Sequence, residues 1–94
     1  MNARALVAWN LRRIRVERGV SQEALAHEAN VDRAYVGGLE RQVHNPTIDL
    51  LERLTTTLGA EISELFLRIP RGASAPAPLP AGRKVAKQAK RKKP

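Results

Sequence analysis

The feature that most constrains the fold of this chain is a pair of short amphipathic segments joined by a tight turn. The first segment covers about residues 22–29 and the second about 33–41, each with apolar side chains at helical spacing. The turn at 29–31 reads "ANV", and its Asn30 tolerates the left-handed backbone that such turns need. The two helices can cross closely, because the small Ala26 lies where a larger side chain would wedge them apart.

Three further segments have helical spacing and bring the predicted count to five helices in an all-α fold. They cover about residues 3–18, 48–58 and 61–67. Gly19 and Gly59 stand where glycine commonly ends a helix. The residues placed to cap helix N-termini are Ser21, Asp32 and Thr47.

The composition excludes several classes of site. The chain has no Cys, which excludes disulfides and thiolate metal sites. His27 and His44 are too few to argue for a metal centre, and we expect no cofactor and no small-molecule ligand. Without a nucleophile constellation or a Gly-rich phosphate loop after a strand, an enzyme is not expected. No run approaches the roughly 20 apolar residues of a membrane span, and the N-terminus lacks a signal-peptide pattern, so we expect a cytoplasmic protein with no membrane partner.

The positive charge lies at one end of the chain. The net charge is +8, yet residues 1–70 are formally neutral and residues 71–94 contain no acid. The character of the sequence changes at Pro70, where a Pro/Ala-rich stretch begins. We therefore predict a folded domain over 1–69 and a disordered linker and basic tail over 70–94.

The basic tail suggests non-specific attraction to a polyanion. Its cationic residues are Arg83, Lys84, Lys87, Lys90, Arg91, Lys92 and Lys93. They could neutralise several phosphates by counterion release. The alternative is a solubilising extension with no defined target.

The stretch "LRRIRVERGVSQEALAHEANVDRAYVGGLERQVHNPTIDLLERLTTTLGAEISELF" resembles the Cro/C1-type (XRE-type) helix-turn-helix domain of bacterial and phage regulators. The resemblance covers about residues 5–66, and "DRAYVGGLER" followed by "NPTI" is further similar to restriction–modification controller proteins. It implies a five-helix, lambda-repressor-like DNA-binding fold. It also implies a homodimer on a pseudo-palindromic operator, with the recognition helix, about 32–41, in the major groove of double-stranded DNA.

The recognition helix carries the residues expected to contact bases. Its candidates for base contact are Arg33, Ala34, Tyr35, Gly37 and Gly38. Arg33 can bond bidentately to guanine, and Tyr35 can meet a thymine methyl or a phosphate. We expect the two glycines to face outward and let the backbone approach the DNA; the alternative is that they only relieve packing against a neighbouring helix.

The resemblance also implies phosphate contacts and two structural roles. The candidate phosphate contacts are Ser21, Gln22, Arg41, His44 and Asn45. For three of them a plainer interpretation stays open: Ser21 as only a cap, Gln22 as only solvated, and His44 as only a loop residue. Arg15 and Glu40 are expected to form a partly buried ion pair between the first and third helices. The implied dimer interface consists of Ile62, Leu65 and Phe66.

Three positions depart from the family pattern. Gln42 stands where the family usually has Gly, Thr55 where Ala is common, and Glu61 where a Ser or Thr caps the last helix.

The function predicted from the sequence is sequence-specific regulation of transcription, repression being the simplest form. Two alternatives stay open: an antitoxin or adaptor module that binds a protein, and an architectural DNA binder dominated by the tail. An architectural binder would show little sequence preference.

Overall fold

The computed structural model describes residues 2–73, which form four α-helices and one 3₁₀ helix. The helices are α1 (Ala3–Glu17), α2 (Gln22–Ala29), α3 (Arg33–Glu40), α4 (Ile48–Leu58) and the 3₁₀ helix Ile62–Phe66. Strands are absent from this part of the chain. The predicted linker and basic tail, including Arg83 to Lys93, lie outside the described residues apart from 70–73.

Local capping explains where most helices begin and end. Ser21 Oγ accepts from the Ala24 N–H at 3.0 Å, and Thr47 Oγ1 accepts from the Leu50 N–H at 3.0 Å. Each bond satisfies one of the amide groups that a helix leaves unpaired at its N-terminus. Asn30 ends α2 in the left-handed conformation, with φ 60° and ψ 48°. These three predictions are confirmed.

Two expectations about helix ends are wrong. Asp32 occupies the N-cap position of α3 in extended backbone, but its side chain makes no capping hydrogen bond. The fifth segment is a five-residue 3₁₀ helix, not an α-helix over 61–67. The chain is already extended at Leu67, with φ −69° and ψ 142°, so no further helical turn can form there.

Asn10 is a buried polar residue that attaches the 3₁₀ helix to α1. It is 1% exposed, and its Nδ2 donates to the carbonyl oxygens of Leu65 at 3.0 Å and Leu67 at 2.8 Å. Its Oδ1 accepts from Arg13 Nη2 at 3.0 Å. The end of the folded segment is therefore held by a satisfied buried amide as well as by apolar packing.

The apolar faces of all five elements meet in one core. Its fully buried large side chains are Leu11, Ile14, Leu25, Val36, Leu39, Leu54 and Leu65. Burying each such side chain contributes about 1.5–3 kcal/mol. This core fixes α3 against α1 and α2, with the first turn of α3 at the surface. None of the helices in the described part is both long and apolar enough to cross a membrane.

Candidate nucleic-acid interface

The first turn of α3 presents one unengaged cation to solvent. Arg33 and Ala34 are exposed, and Tyr35 is half-buried. Within residues 2–73, Arg33 makes no hydrogen bond or ion pair. Its guanidinium therefore keeps all its donors for a ligand, which is what bidentate contact with guanine requires.

The expectation that Gly37 and Gly38 face outward is wrong, because side chains of this chain cover both. A Cβ at Gly37 would lie 3.2 Å from Arg41 Nη1 and 3.4 Å from Gln22 Oε1. A Cβ at Gly38 would overlap the His44 ring. The structure therefore supports a packing role for both glycines. Gly37 makes room for Gln22 of α2, and Gly38 makes room for the loop that follows α3.

His44 and Tyr35 form a stacked aromatic pair. Their ring centroids are 4.4 Å apart and the ring planes differ by 8°. The prediction placed one residue on the bases and the other on a phosphate, without a contact between them. In the structure the two side chains are in direct contact.

The N-terminus of α2 lies beside α3 through Gln22. Gln22 Nε2 donates to Glu40 Oε1 at 3.1 Å, so this side chain is held in place and is not simply solvated. Ser21 acts as a cap on Ala24, and the first amide groups of the helix remain without intrahelical partners. Such an end favours an anion.

The structure contains the Arg15–Glu40 ion pair that the resemblance implies. Arg15 Nε donates to Glu40 Oε2 at 2.7 Å and Nη2 donates to Oε1 at 2.9 Å, which makes the pair bidentate. The side chains are 5% and 3% exposed. The third donor, Nη1, reaches the Val20 carbonyl at 2.9 Å. One carboxylate therefore ties α1, α2 and α3 together.

The remaining predicted residues divide between the surface and the core. Arg41 and Asn45 are exposed in the segment after α3 that also contains His44. Phe66 is 42% exposed and Ile62 is half-buried. Leu65, however, is fully buried in its own chain, so its assignment to a dimer interface is wrong.

The described residues offer no arrangement for a metal ion. Between positions 2 and 73, His, Asp and Glu side chains do not form a group of three or more that could coordinate one.

Comparison with known proteins identifies the architecture. A family model described as Helix-turn-helix matches residues 11–65, more than half of the chain. The chain belongs to the helix-turn-helix family. In helix-turn-helix terms, α2 and α3 are the two helices of the motif, and α3 is the recognition helix. The predicted resemblance is confirmed.

Three relatives place the chain within this helix-turn-helix family. A hypothetical transcription factor of Neisseria meningitidis serogroup B is 39% identical over 64 residues, which are 68% of this chain and 60% of the relative. The restriction-modification controller protein C.AhdI of Aeromonas hydrophila is 40% identical with a TM-score of 0.65, over 67% of this chain and 96% of that one. A structure of the controller protein C.Esp1396I, a tetramer in complex with its natural 35-base-pair operator, is 35% identical with a TM-score of 0.65. It covers 70% of this chain and 87% of that one.

Sequence reasoning missed three features of this helix-turn-helix domain. Asn10 lies three residues after Val7, on the apolar stripe of α1. A polar residue at such a position indicates a buried hydrogen bond, so this feature could have been found from the sequence. No pattern in the sequence indicates the Gln22–Glu40 hydrogen bond or the His44–Tyr35 stack, because both depend on how side chains of different elements are placed.

Proposed function

We propose that this chain is a sequence-specific DNA-binding regulator of transcription. The observation that carries the proposal is the unengaged Arg33 on the first turn of the second helix of a helix-turn-helix motif. The N-terminal residues of that helix are the ones that reach base edges in the major groove. No enzymatic activity is part of this function.

The contacts divide into base reading and phosphate binding. Arg33, Ala34 and Tyr35 read the bases, and Arg33 recognises a guanine through its O6 and N7 atoms. The backbone at Gly37 and Gly38 stays behind the side chains that cover it. The phosphate contacts are made from the two flanks of α3 by Ser21, Gln22, Arg41, His44 and Asn45.

The chain acts as a homodimer on a pseudo-palindromic operator. The relative C.Esp1396I binds its operator as a tetramer, which supports a multimer here. Phe66 and Ile62 supply the apolar surface, and Phe66 borders an open cleft of about 420 Å³ that Val7 and Ile48 also line. The two recognition helices then lie about 34 Å apart, one turn of DNA.

The domain boundary belongs to the same proposal. Residues 1–69 form the DNA-binding domain, and 70–94 form a linker and basic tail that add non-specific affinity. Support comes from the charge distribution, since residues 1–70 are formally neutral.

Fluorescence anisotropy tests the function directly. The full chain is titrated into the duplex upstream of its own gene and into a scrambled duplex of equal length, at about 150 mM salt to damp the tail's contribution. We expect a preference of roughly a thousandfold, which Arg33→Ala removes in large part. His27→Ala, an exposed change on α2 outside the proposed contacts, is the control. If the chain binds both duplexes equally, a randomised duplex pool is tested next. If the chain prefers no sequence from that pool, it is an architectural binder or a protein-binding module.

A further inference from the structure

Three residues around the end of α3 form one steric unit. The His44 ring occupies the space that a Cβ at Gly38 would fill, and it also stacks on the Tyr35 ring with 4.4 Å between centroids. The planes are within 8° of parallel. The His44 imidazole, from the loop after α3, therefore contacts both the interior of α3 at Gly38 and its first turn at Tyr35.

Gly38 is needed for this arrangement. Glycine is among the poorest residues for a helix interior, so its presence there requires a reason. A methyl group at this position would collide with His44 Cδ2 and Nε2 and would lie 3.1 Å from Val43 Cγ2. The missing side chain is what lets the loop fold back against α3.

The stack restricts Tyr35. Tyr35 is half-buried and packs against the core, so the imidazole covers a ring that the core already supports. A tyrosine has two rotatable side-chain bonds, and contacts from core and imidazole together limit both. A side chain held before binding loses less conformational freedom when it meets a base.

We propose that His44 is a positioning residue for Tyr35 and that Gly38 is the gap that admits it. His44 acts on base recognition through Tyr35, in addition to any contact of its own with a phosphate. The inference rests on the proposed function, since it takes Tyr35 to read bases.

Two substitutions of His44 separate stacking from phosphate contact. His44→Ala removes both the ring and its polar atoms, whereas His44→Phe keeps a planar ring and removes the polar atoms. A phosphate contact alone would disappear in both variants and would weaken all duplexes equally. A positioning role would disappear in His44→Ala and be restored in His44→Phe.

The measurement is base discrimination by the full chain. The probe is the duplex most enriched from a randomised pool by the wild-type chain, together with its single-base-pair variants. We expect His44→Ala to lower discrimination by about fivefold at the base pairs that Tyr35→Ala also affects, and His44→Phe to stay within about twofold of wild type. His27→Ala changes the same residue type at an exposed position of α2 and should leave discrimination unchanged.

The stack itself is measured in the free protein by NMR. Replacing Tyr35 with Leu should shift the His44 ring protons as the ring current is lost, while the His27 ring protons stay in place. Unfolding curves of each variant verify that the fold is retained.

The outcomes are distinct. If His44→Ala weakens all duplexes uniformly, or if His44→Phe discriminates as poorly as His44→Ala, the positioning role is refuted. Unmoved His44 ring protons in Tyr35→Leu also refute it. If no sequence is enriched from the pool, both the proposed function and this inference are overturned. If a sequence is enriched but His44→Ala discriminates between bases as the wild type does, only the inference is overturned.

Discussion

Gln42 adopts a backbone conformation that suits glycine. Its φ is +66°, in the left-handed region, directly after the end of α3. The Val43 N–H donates to the Gly38 carbonyl at 2.9 Å and the Gln42 N–H to the Leu39 carbonyl at 3.1 Å. These two bonds form the helix-ending motif in which glycine is strongly preferred. The departure from the family pattern is therefore a local strain of about 1–2 kcal/mol.

Gln42→Gly should stabilise the protein. The relief of strain exceeds the added freedom of glycine in the unfolded chain, so we expect the free energy of unfolding to rise by about 0.5–1 kcal/mol. Urea denaturation followed by circular dichroism measures it. Gln42→Ala keeps a Cβ at positive φ and should bring no gain; equal stabilisation by both substitutions would contradict the argument.

Single positions were predictable where their partners are close in sequence. Ser21 and Thr47 cap helices through amides three residues away, and Asn30 needs only its own backbone. Gly38 was not predictable in this way. Its burial depends on where a loop places His44 six residues later, and helical periodicity carries no information about that loop.

Glu40 connects three helices through one buried carboxylate. Because its side chain is 3% exposed, removing Arg15 alone leaves a buried carboxylate with no opposite charge beside it and only the Gln22 hydrogen bond. We expect Arg15→Met or Glu40→Leu alone to cost about 3–5 kcal/mol, and the double variant to cost clearly less than their sum. A double-mutant cycle by urea denaturation measures the coupling. The Arg13–Glu17 pair, at 3.4 Å with side chains 22% and 56% exposed, is the more solvated comparison and should couple by about 0.5 kcal/mol or less.

Asn10 is expected to determine the stability of the 3₁₀ helix. Asn10→Ala leaves the Leu65 and Leu67 carbonyls without their donor, at a cost of about 1–3 kcal/mol. Hydrogen exchange should show faster exchange in residues 62–67 than in α4. Asn45→Ala, the same change at an exposed loop position, should alter stability by less than about 0.5 kcal/mol. Equal losses in the two variants would remove Asn10 from this role.

The helices followed from apolar spacing and caps, whereas the fifth element did not. Residues 48–58 carry a strong apolar stripe between Thr47 and Gly59, and the predicted bounds of α4 are confirmed. Residues 61–67 contain too few turns for spacing to distinguish an α-helix from a 3₁₀ helix. The end of the segment also bonds to Asn10, whose partners are carbonyls 55 and 57 residues later, and local spacing carries no information about contacts so distant in sequence.

Dimerisation should depend on Phe66 and not on Leu65. Phe66 is 42% exposed, and an interface with two-fold symmetry would bury this residue on both protomers. We expect Phe66→Ser to raise the dimer dissociation constant by at least about tenfold, with a smaller loss of monomer stability because Phe66 is only partly buried in its own chain. Sedimentation equilibrium measures the constant. Val43→Ser, at an apolar residue that is 60% exposed in the loop after α3, is the control. A dimer that tolerates Phe66→Ser would place the interface elsewhere.

The charge distribution places the residues expected to supply non-specific affinity apart from those expected to supply specificity. All of the net charge of +8 lies beyond residue 70, while the residues proposed to read bases lie in the neutral part. Replacing Lys84, Lys87, Lys90, Lys92 and Lys93 with Gln should therefore flatten the dependence of log affinity on log salt. The slope should fall by roughly 0.9 for each phosphate that the tail no longer neutralises.

The preference for the operator over a scrambled duplex should survive the same change. Affinity for both duplexes falls together, because contacts to phosphates carry no direct sequence information. Anisotropy titrations between about 50 and 200 mM salt measure slope and preference in one experiment. The five Lys→Arg substitutions keep the charge and serve as the matched control. A slope that the Lys→Gln variant leaves unchanged would mean that the tail does not touch DNA, and its charge would then need another partner.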